Sequence, residues 1–179
     1  PFLGIRIKTF SEELRERSMR TLDIFITTLV SELGGKMPEN FVTTLPKVNI
    51  PEQVSALADI FDVMEPRLGL APGTLKIEIM IEQTQAIFGL AGQVPILKMV
   101  EAARGRCTGA HFGTYDYTAS CNITAAHQHH THPSCDFARH VLQLALTGTG
   151  VQLSDGATNV MPIGPHREVD GKPLSWQQL

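Results

Sequence analysis

The chain has 179 residues, of which 42% are hydrophobic and 18% charged, and a formal net charge of −3 at pH 7. This is the composition of a soluble globular protein, and its slightly acidic balance gives no support for nucleic acid or an acidic membrane surface as a partner. No apolar run approaches the roughly 20 residues that span a bilayer. The three cysteines, an odd number at ordinary spacing, favour reduced thiols and a cytoplasmic location.

Five strand-like segments alternate with helical segments along the chain. The predicted strands cover residues 3–10, 41–48, 75–82, 106–116 and 149–159. The predicted helices cover residues 11–33, 51–64, 83–89, 95–104 and 135–148, and a histidine-rich loop or short helix covers 121–132. Strands separated by helices pair in parallel with right-handed crossovers, which predicts an α/β protein. Because the chain starts at Pro1 and enters a strand almost at once, we expect a fragment of a longer protein.

The third predicted strand has two different faces. Ile77, Ile79 and Ile81 recur at every second residue, whereas the alternate positions are mostly polar and end at Glu82. A parallel sheet covered by helices on both sides would be apolar on both faces. A TIM-type (β/α)8 barrel explains the pattern, because the isoleucines then face the helices and Glu82 lies at the carboxyl end of the strand, where barrel enzymes place their active sites.

Charged residues stand near the carboxyl ends of four successive predicted strands: Arg6, Lys47, Glu82 and Asp116. A single such residue is most simply a solvated side chain or part of a structural ion pair. Four of them at one end of a barrel indicate a site. Two carboxylates from neighbouring strands suit Mg²⁺, although they would also suit a general acid/base pair without a metal.

Four short motifs in this order resemble those of the citrate lyase beta subunit and 2-oxo acid aldolase family, in the pyruvate/phosphoenolpyruvate barrel superfamily. They are Gly-Ile-Arg-Ile at 4–7, Leu-Pro-Lys-Val at 45–48, Ile-Glu-Gln-Thr at 81–84 and Phe-Gly-Thr-Tyr-Asp at 112–116. Malate synthase is a more distant relative of that family. The resemblance covers about strands three to seven of a single, partial barrel domain over residues 1–179. It departs from the family in lacking the first two strands and the eighth, and in a longer interval before Asp116.

The resemblance implies that Glu82 and Asp116 bind Mg²⁺ or Mn²⁺ and that Arg6 faces a carboxylate or enolate oxygen of the substrate. The planar guanidinium of arginine suits that bidentate contact. Lys47 joins Arg6 in the expected catalytic set, either in direct contact with substrate or as a support for the carboxylates. The residues whose backbone N–H groups are expected to bind a substrate carboxylate are Gly113, Thr114, Tyr115 and Asp116.

The implied activity is that of a Mg²⁺-dependent carbon–carbon lyase or aldolase. Its substrate would be a small molecule, either a 2-oxo acid or a carboxylate or coenzyme A thioester, reacting through a metal-stabilised enolate. Two alternatives remain: a phosphoryl- or acyl-transfer enzyme on the same barrel, and a non-enzymatic binding barrel. We also expect a homo-oligomer.

Several histidines and polar residues have weaker assignments. The cluster at 127–132 matches no zinc-ligand spacing, so a solvated loop, a substrate contact and a metal site all remain open. His111 is expected to lie behind the site, on the side of the fourth strand opposite Asp116. Asp155 and Asn159 either rim the pocket or cap the fifth strand.

Overall fold

A computed structural model describes residues 3–158, 171 and 175, in which the strands form a single parallel sheet. The strands lie side by side in chain order. They are β1 (Leu3–Arg6), β2 (Phe41–Leu45), β3 (Lys76–Ile81), β4 (Cys107–Phe112) and β5 (Gln152–Ser154). The predicted α/β class and sequential parallel order are therefore confirmed. Each strand is shorter than the sequence pattern predicted.

The helices lie between the strands in sequence. They are α1 (Arg15–Glu32), α2 (Pro51–Arg67), α3 (Thr84–Ile87), α4 (Ile96–Ala102), α5 (Thr114–Ser120) and α6 (Pro133–Leu146), with a 3-10 turn at Ala125–His127. Helix α1 begins later than expected, because the carbonyl of Ser11 first closes a turn with the N–H groups of Leu14 and Arg15. It ends before Gly34 and Gly35, whose φ angles of 64° and 84° favour glycine. Within the described residues, none of the helices has the length and apolar character that crossing a membrane requires.

The hydrophobic core lies between the sheet and the helices. Ile77, Ile79 and Ile81 are fully buried there and belong to one cluster with Phe61 of α2 and Met99 of α4. Burying an isoleucine side chain of this kind contributes about 1.5–3 kcal/mol to stability. The predicted orientation of β3 is confirmed, since its isoleucines face the helical layer.

A buried ion pair links helix α2 to the amino-terminal end of the sheet. Glu65 of α2 accepts hydrogen bonds from the guanidinium of Arg106 at 2.7 and 2.8 Å and from the N–H groups of Gly73 and Leu75 at 2.9 and 2.8 Å. Burial alone would raise the pKa of Glu65, but these donors hold that pKa below its ordinary value. Because Arg106 immediately precedes β4, the pair ties α2 to the end of the sheet remote from the predicted site.

The inner face of the sheet is polar and carries two rows of residues in register. The first row consists of Arg6, Thr44, Glu78, Gly109 and Gln152. The second row, two residues nearer the carboxyl ends of β3 and β4, consists of Met80, His111 and Ser154. A cavity of about 480 Å³ opens on this face, with members of both rows in its lining. The inner face is therefore polar and open to this cavity, where a closed barrel core would place packed branched side chains.

Candidate active site

Glu82 directly follows β3 and points into the carboxyl end of the sheet. Its side chain is buried, with the residue only 2% exposed. The backbone N–H of Lys47, in the loop after β2, donates to Oε1 of Glu82 at 2.9 Å. Lys47 has a φ of 53°, a conformation that few residues other than glycine adopt. The loop after β2 is thus bent so that its backbone orients the Glu82 carboxylate.

Gly113 provides the space that Glu82 occupies. A Cβ atom at position 113 would lie 2.6 Å from both Cβ and Oε2 of Glu82, so no larger residue fits without displacing the carboxylate. The N–H of Gly113 donates to the carbonyl of Ile81 at 2.9 Å. That N–H group is therefore hydrogen-bonded to β3 rather than available to a substrate. Gly113 contributes to the site by leaving room for the Glu82 side chain.

Asp116 reaches the site from a helix rather than from a strand. The predicted fourth strand extended to residue 116, but β4 ends at Phe112 and Asp116 lies in the first turn of α5. The Lys47 ammonium pairs with Oδ1 of Asp116 at 2.6 Å. The N–H groups of Thr114, Tyr115 and Asp116 belong to the first helical turn, where they have no partner within the helix. These three groups are the remaining candidates for binding a substrate carboxylate.

The two carboxylates influence each other. Burial and the negative charge of Asp116 raise the pKa of Glu82 to about 6, against the opposing effect of Lys47. Burial would also raise the pKa of Asp116, but the hydrogen bond and the positive charge of Lys47 hold that pKa below its ordinary value. A site that presses two carboxylates together in this way is suited to a divalent cation, which would neutralise both.

The donor set fits Mg²⁺ or Mn²⁺ and does not fit zinc. In the part of the chain that the structure describes, no group of three His, Cys, Asp or Glu side chains is placed to hold a metal ion. Mg²⁺ commonly uses one or two protein carboxylates, with water and substrate oxygens completing an octahedron, whereas zinc sites need three or four protein ligands. Glu82 and Asp116 are two hard oxygen donors of the kind that such a Mg²⁺ site uses.

Arg6 ends β1 and lies over the inner face of the sheet. Its Nη1 is 3.7 Å from the Met80 sulfur, and the residue lines the cavity. Among the described residues it forms no salt bridge, although its positive charge contributes to the lowered pKa of Asp116. An exposed guanidinium with free donors beside a carboxylate pair is suited to binding an anion.

A second polar cluster lies on the β4–β5 side of the site. Arg139 of α6 pairs with Asp155 at 2.5 Å and lies 3.0 Å from Nδ1 of His130. His130 also contacts Asp155 at 3.2 Å and the Thr114 hydroxyl at 3.5 Å. Asp155 lines a separate cavity with Phe112 and Arg139, not the cavity of Arg6 and Met80, so its place at the rim of the site stays a prediction. Asn159 falls outside the described residues. Arg139 could not be predicted from the sequence, because its spacing from His130 and Asp155 forms no motif.

His129 and His132 of the cluster have local contacts. His132 accepts the N–H of Ser134 at 3.1 Å and so caps α6, while His129 contacts the Thr131 hydroxyl at 3.1 Å. Only His130 extends towards the site, through Thr114.

The expected position of His111 is wrong. We expected it behind the site, but it lies on the inner face and lines the same cavity as Arg6 and Met80. The error follows from counting strand alternation through to Asp116, whereas the strand ends at Phe112. Gly113, two residues after His111, faces Glu82 and Met80, which confirms that His111 and Gly113 share the inner face.

Residues 1–178 match the family described as "Domain of unknown function (DUF6986)". The chain belongs to this family. The match covers all the strands and helices described above, including Arg6, Lys47, Glu82 and Asp116. The family description assigns no activity.

Malate synthases are among the solved structures with the same fold. The chain is similar to the pyruvate/acetyl-CoA ternary complex of Haloferax volcanii malate synthase, with a TM-score of 0.58, 17% identity, and coverage of 83% of this chain and 38% of that chain. The magnesium/glyoxylate complex of the same enzyme gives a TM-score of 0.58 at 16% identity, covering 83% of this chain and 41% of that chain. These likenesses show the fold and confirm a partial TIM-type barrel.

A curated relative covers less of the chain. It is the "Bifunctional glyoxylate cycle protein" of Caenorhabditis elegans, 34% identical over 76 residues, which is 42% of this chain and 7% of the relative. This member of the DUF6986 family thus spans only a small part of that relative and about two fifths of the malate synthase chains.

Proposed function

We propose that this chain holds the site of a Mg²⁺- or Mn²⁺-dependent enzyme that makes or breaks a carbon–carbon bond in a 2-oxo acid. The observation that carries the proposal is the buried carboxylate of Glu82 at the carboxyl end of the sheet, held by the same lysine, Lys47, that pairs with Asp116. A bound cation would act as a Lewis acid on substrate oxygens.

The other residues have separate roles in this proposal. Arg6 extends its guanidinium, which forms no salt bridge with the described part of the chain, over the cavity, where it would bind the substrate oxygen that gains negative charge. The free N–H groups in the first turn of α5 would bind the substrate carboxylate. Lys47 orients Glu82 through its backbone N–H and pairs its ammonium with Asp116, so it supports the site rather than acting as a Schiff-base nucleophile.

Two candidate reactions differ in whether the carbon–carbon bond is broken or formed. One is a lyase or aldolase of the citrate lyase type, which the sequence motifs support. The other is an acyl-condensing enzyme that joins a coenzyme A thioester to a 2-oxo acid, which is supported by the malate synthase structures with pyruvate, glyoxylate, acetyl-CoA and magnesium. Both candidates use a 2-oxo acid, a divalent cation and an enolate.

The site and the reaction are tested in two steps. Calorimetry with Mg²⁺, followed by oxalate, pyruvate or glyoxylate, measures whether the anion binds only when the metal is present. No metal-dependent binding would favour the non-enzymatic barrel. Product assays then distinguish the candidates: release of free coenzyme A from acetyl-CoA and glyoxylate indicates condensation, whereas release of pyruvate from a larger 2-oxo acid indicates cleavage.

We also propose a homo-oligomer in a reducing, cytoplasmic setting. The rings of Phe88 and Phe137 stack at 5.8 Å with both residues about half exposed, and Leu90, two residues after Phe88, is fully exposed. Apolar groups of this size at the surface commonly belong to interfaces. Cys107, Cys121 and Cys135 are all free thiols. Sedimentation velocity of the purified protein tests the oligomeric state.

A further inference from the structure

His111 lies near the site but has no role in the proposed function. It lies on the inner face of β4, two residues before Gly113, which itself touches Glu82. Two residues of a strand span about 6.6 Å, so the imidazole lies one layer of side chains below the carboxylate pair. Arg6, Met80 and His111 line the same cavity of about 480 Å³.

The ring of His111 is held in one orientation. Its Nδ1 lies 2.9 Å from the hydroxyl of Ser154, the residue opposite it in β5. When Nδ1 carries its hydrogen towards Ser154, Nε2 keeps its lone pair and can accept a proton. An imidazole anchored by one nitrogen is the usual arrangement of a histidine that transfers protons with the other.

We propose that His111 is a catalytic residue that removes and returns a proton at C3 of the 2-oxo acid, the carbon beside the carbonyl. This inference rests on the proposed function, because the carboxylate pair and Arg6 must hold the C1 and C2 oxygens at the mouth. The rest of the substrate then extends into the cavity, and C3 lies on the side of His111.

The proton transfer balances without any further reactant. The C3–H bond breaks and its proton goes to Nε2 of His111. The electron pair of that bond forms the C2–C3 double bond, and the carbonyl electron pair moves to the C2 oxygen, where the guanidinium of Arg6 compensates the charge. Return of the proton restores the ketone, and Ser154 accepts a hydrogen bond from Nδ1 throughout.

The experiment follows exchange of the methyl protons of pyruvate with deuterium by NMR, in D₂O with Mg²⁺. The wild-type protein should catalyse the exchange. The His111→Gln variant should lose roughly 10²–10⁴-fold in exchange rate, the typical contribution of a general base. The Ser154→Ala variant should lose less, because the ring remains but is no longer oriented. A Thr108→Val variant, which changes another polar residue of β4 outside this cavity, should exchange at the wild-type rate.

Binding of Mg²⁺ and oxalate is measured on the same samples. His111→Gln with wild-type oxalate affinity and lost exchange supports the role of His111. Oxalate and pyruvate binding without exchange in the wild-type protein overturns that role and leaves the metal site standing. Unchanged exchange in His111→Gln overturns it as well. Absence of Mg²⁺-dependent binding in the wild-type protein overturns the proposed function, and the role of His111 with it.

Discussion

The ammonium of Lys47 lies 2.6 Å from Oδ1 of Asp116. The backbone N–H of the same lysine donates to Glu82 at 2.9 Å, so one residue of the loop after β2 contacts both carboxylates of the site. The two contacts differ in kind. The backbone N–H bond to Glu82 does not depend on the side chain at position 47, whereas the contact with Asp116 requires the lysine ammonium. The role of the ammonium can therefore be tested separately.

Replacing Lys47 with methionine should strengthen Mg²⁺ binding, because the ammonium competes with the cation for Asp116 and repels it. Stability should change little, by about 0–1 kcal/mol, since both side chains of the pair are about half exposed. Calorimetry and thermal melts measure the two effects. Weaker Mg²⁺ binding in this variant would show instead that Lys47 orients Asp116 for the metal.

Glu82→Gln should abolish Mg²⁺ binding and leave the fold intact, because the amide keeps the shape of the side chain but loses its charge. The matched control is Glu78→Gln, on the same face of β3 and bonded to the Thr44 hydroxyl at 2.6 Å. We expect the control to bind Mg²⁺ like the wild-type protein in a calorimetric titration. Equal affinity in the Glu82 variant would remove this residue from the metal site.

Gly113→Ala should also weaken Mg²⁺ binding strongly, because the added methyl group would lie 2.6 Å from Cβ of Glu82 and must displace it. Gly109→Ala is the control, since its methyl group would lie 3.3 Å from the flexible Cγ of Glu78. Mg²⁺ titrations and thermal melts of both variants make the comparison. A Gly113 variant with normal affinity would mean that the metal does not need Glu82 in this position.

Arg6→Lys should lower kcat by roughly 10²–10³, because lysine keeps the charge but lacks the planar fork of donors. The melting temperature should hardly change, since Arg6 forms no salt bridge among the described residues. We compare kcat from steady-state kinetics with the melting temperature of the same variant. The kinetics use whichever of the two reactions the protein catalyses. A lower melting temperature with normal kcat would make Arg6 a structural residue.

Arg106→Met should destabilise the protein by about 3–5 kcal/mol, because it leaves the buried carboxylate of Glu65 without its partner. Arg104→Met is the matched control, as Arg104 pairs with Asp59 at the surface and should contribute less than about 1 kcal/mol. Chemical denaturation measures both changes. Mg²⁺ affinity of the folded Arg106 variant should be unaltered, because the pair lies at the far end of the sheet.

The parts of the fold with local signals could be predicted from the sequence. The alternation of Ile77, Ile79 and Ile81 predicted both faces of β3, and Gly34 marked the end of α1. The same alternation failed beyond Phe112, where the carbonyl of Gly113 accepts the N–H of Tyr117 and a helix replaces the strand. Because the motif at 112–116 was interpreted as the end of a strand, it could not indicate this change from strand to helix.

Contacts between distant residues left no such signal. Glu65 and Arg106 are 41 residues apart, and Asp155 follows His130 by 25. Each of these side chains has an ordinary sequence environment, and only the stacking of helices against the sheet brings them together. The carboxylate pair could be predicted because both of its members lie in motifs, whereas Arg139 lies in none.

The division of β3 into two faces limits how this strand can change in evolution. Its isoleucines hold the helices, while Glu78 and Met80 border the cavity. A substitution at either cavity position alters the pocket and leaves the packed layer intact. Insertion or deletion of a single residue in the strand would exchange the faces, placing charged side chains in the core and isoleucines at the cavity. The shape and charge of the cavity can therefore change through substitutions in this strand, whereas the length of the strand is constrained by folding.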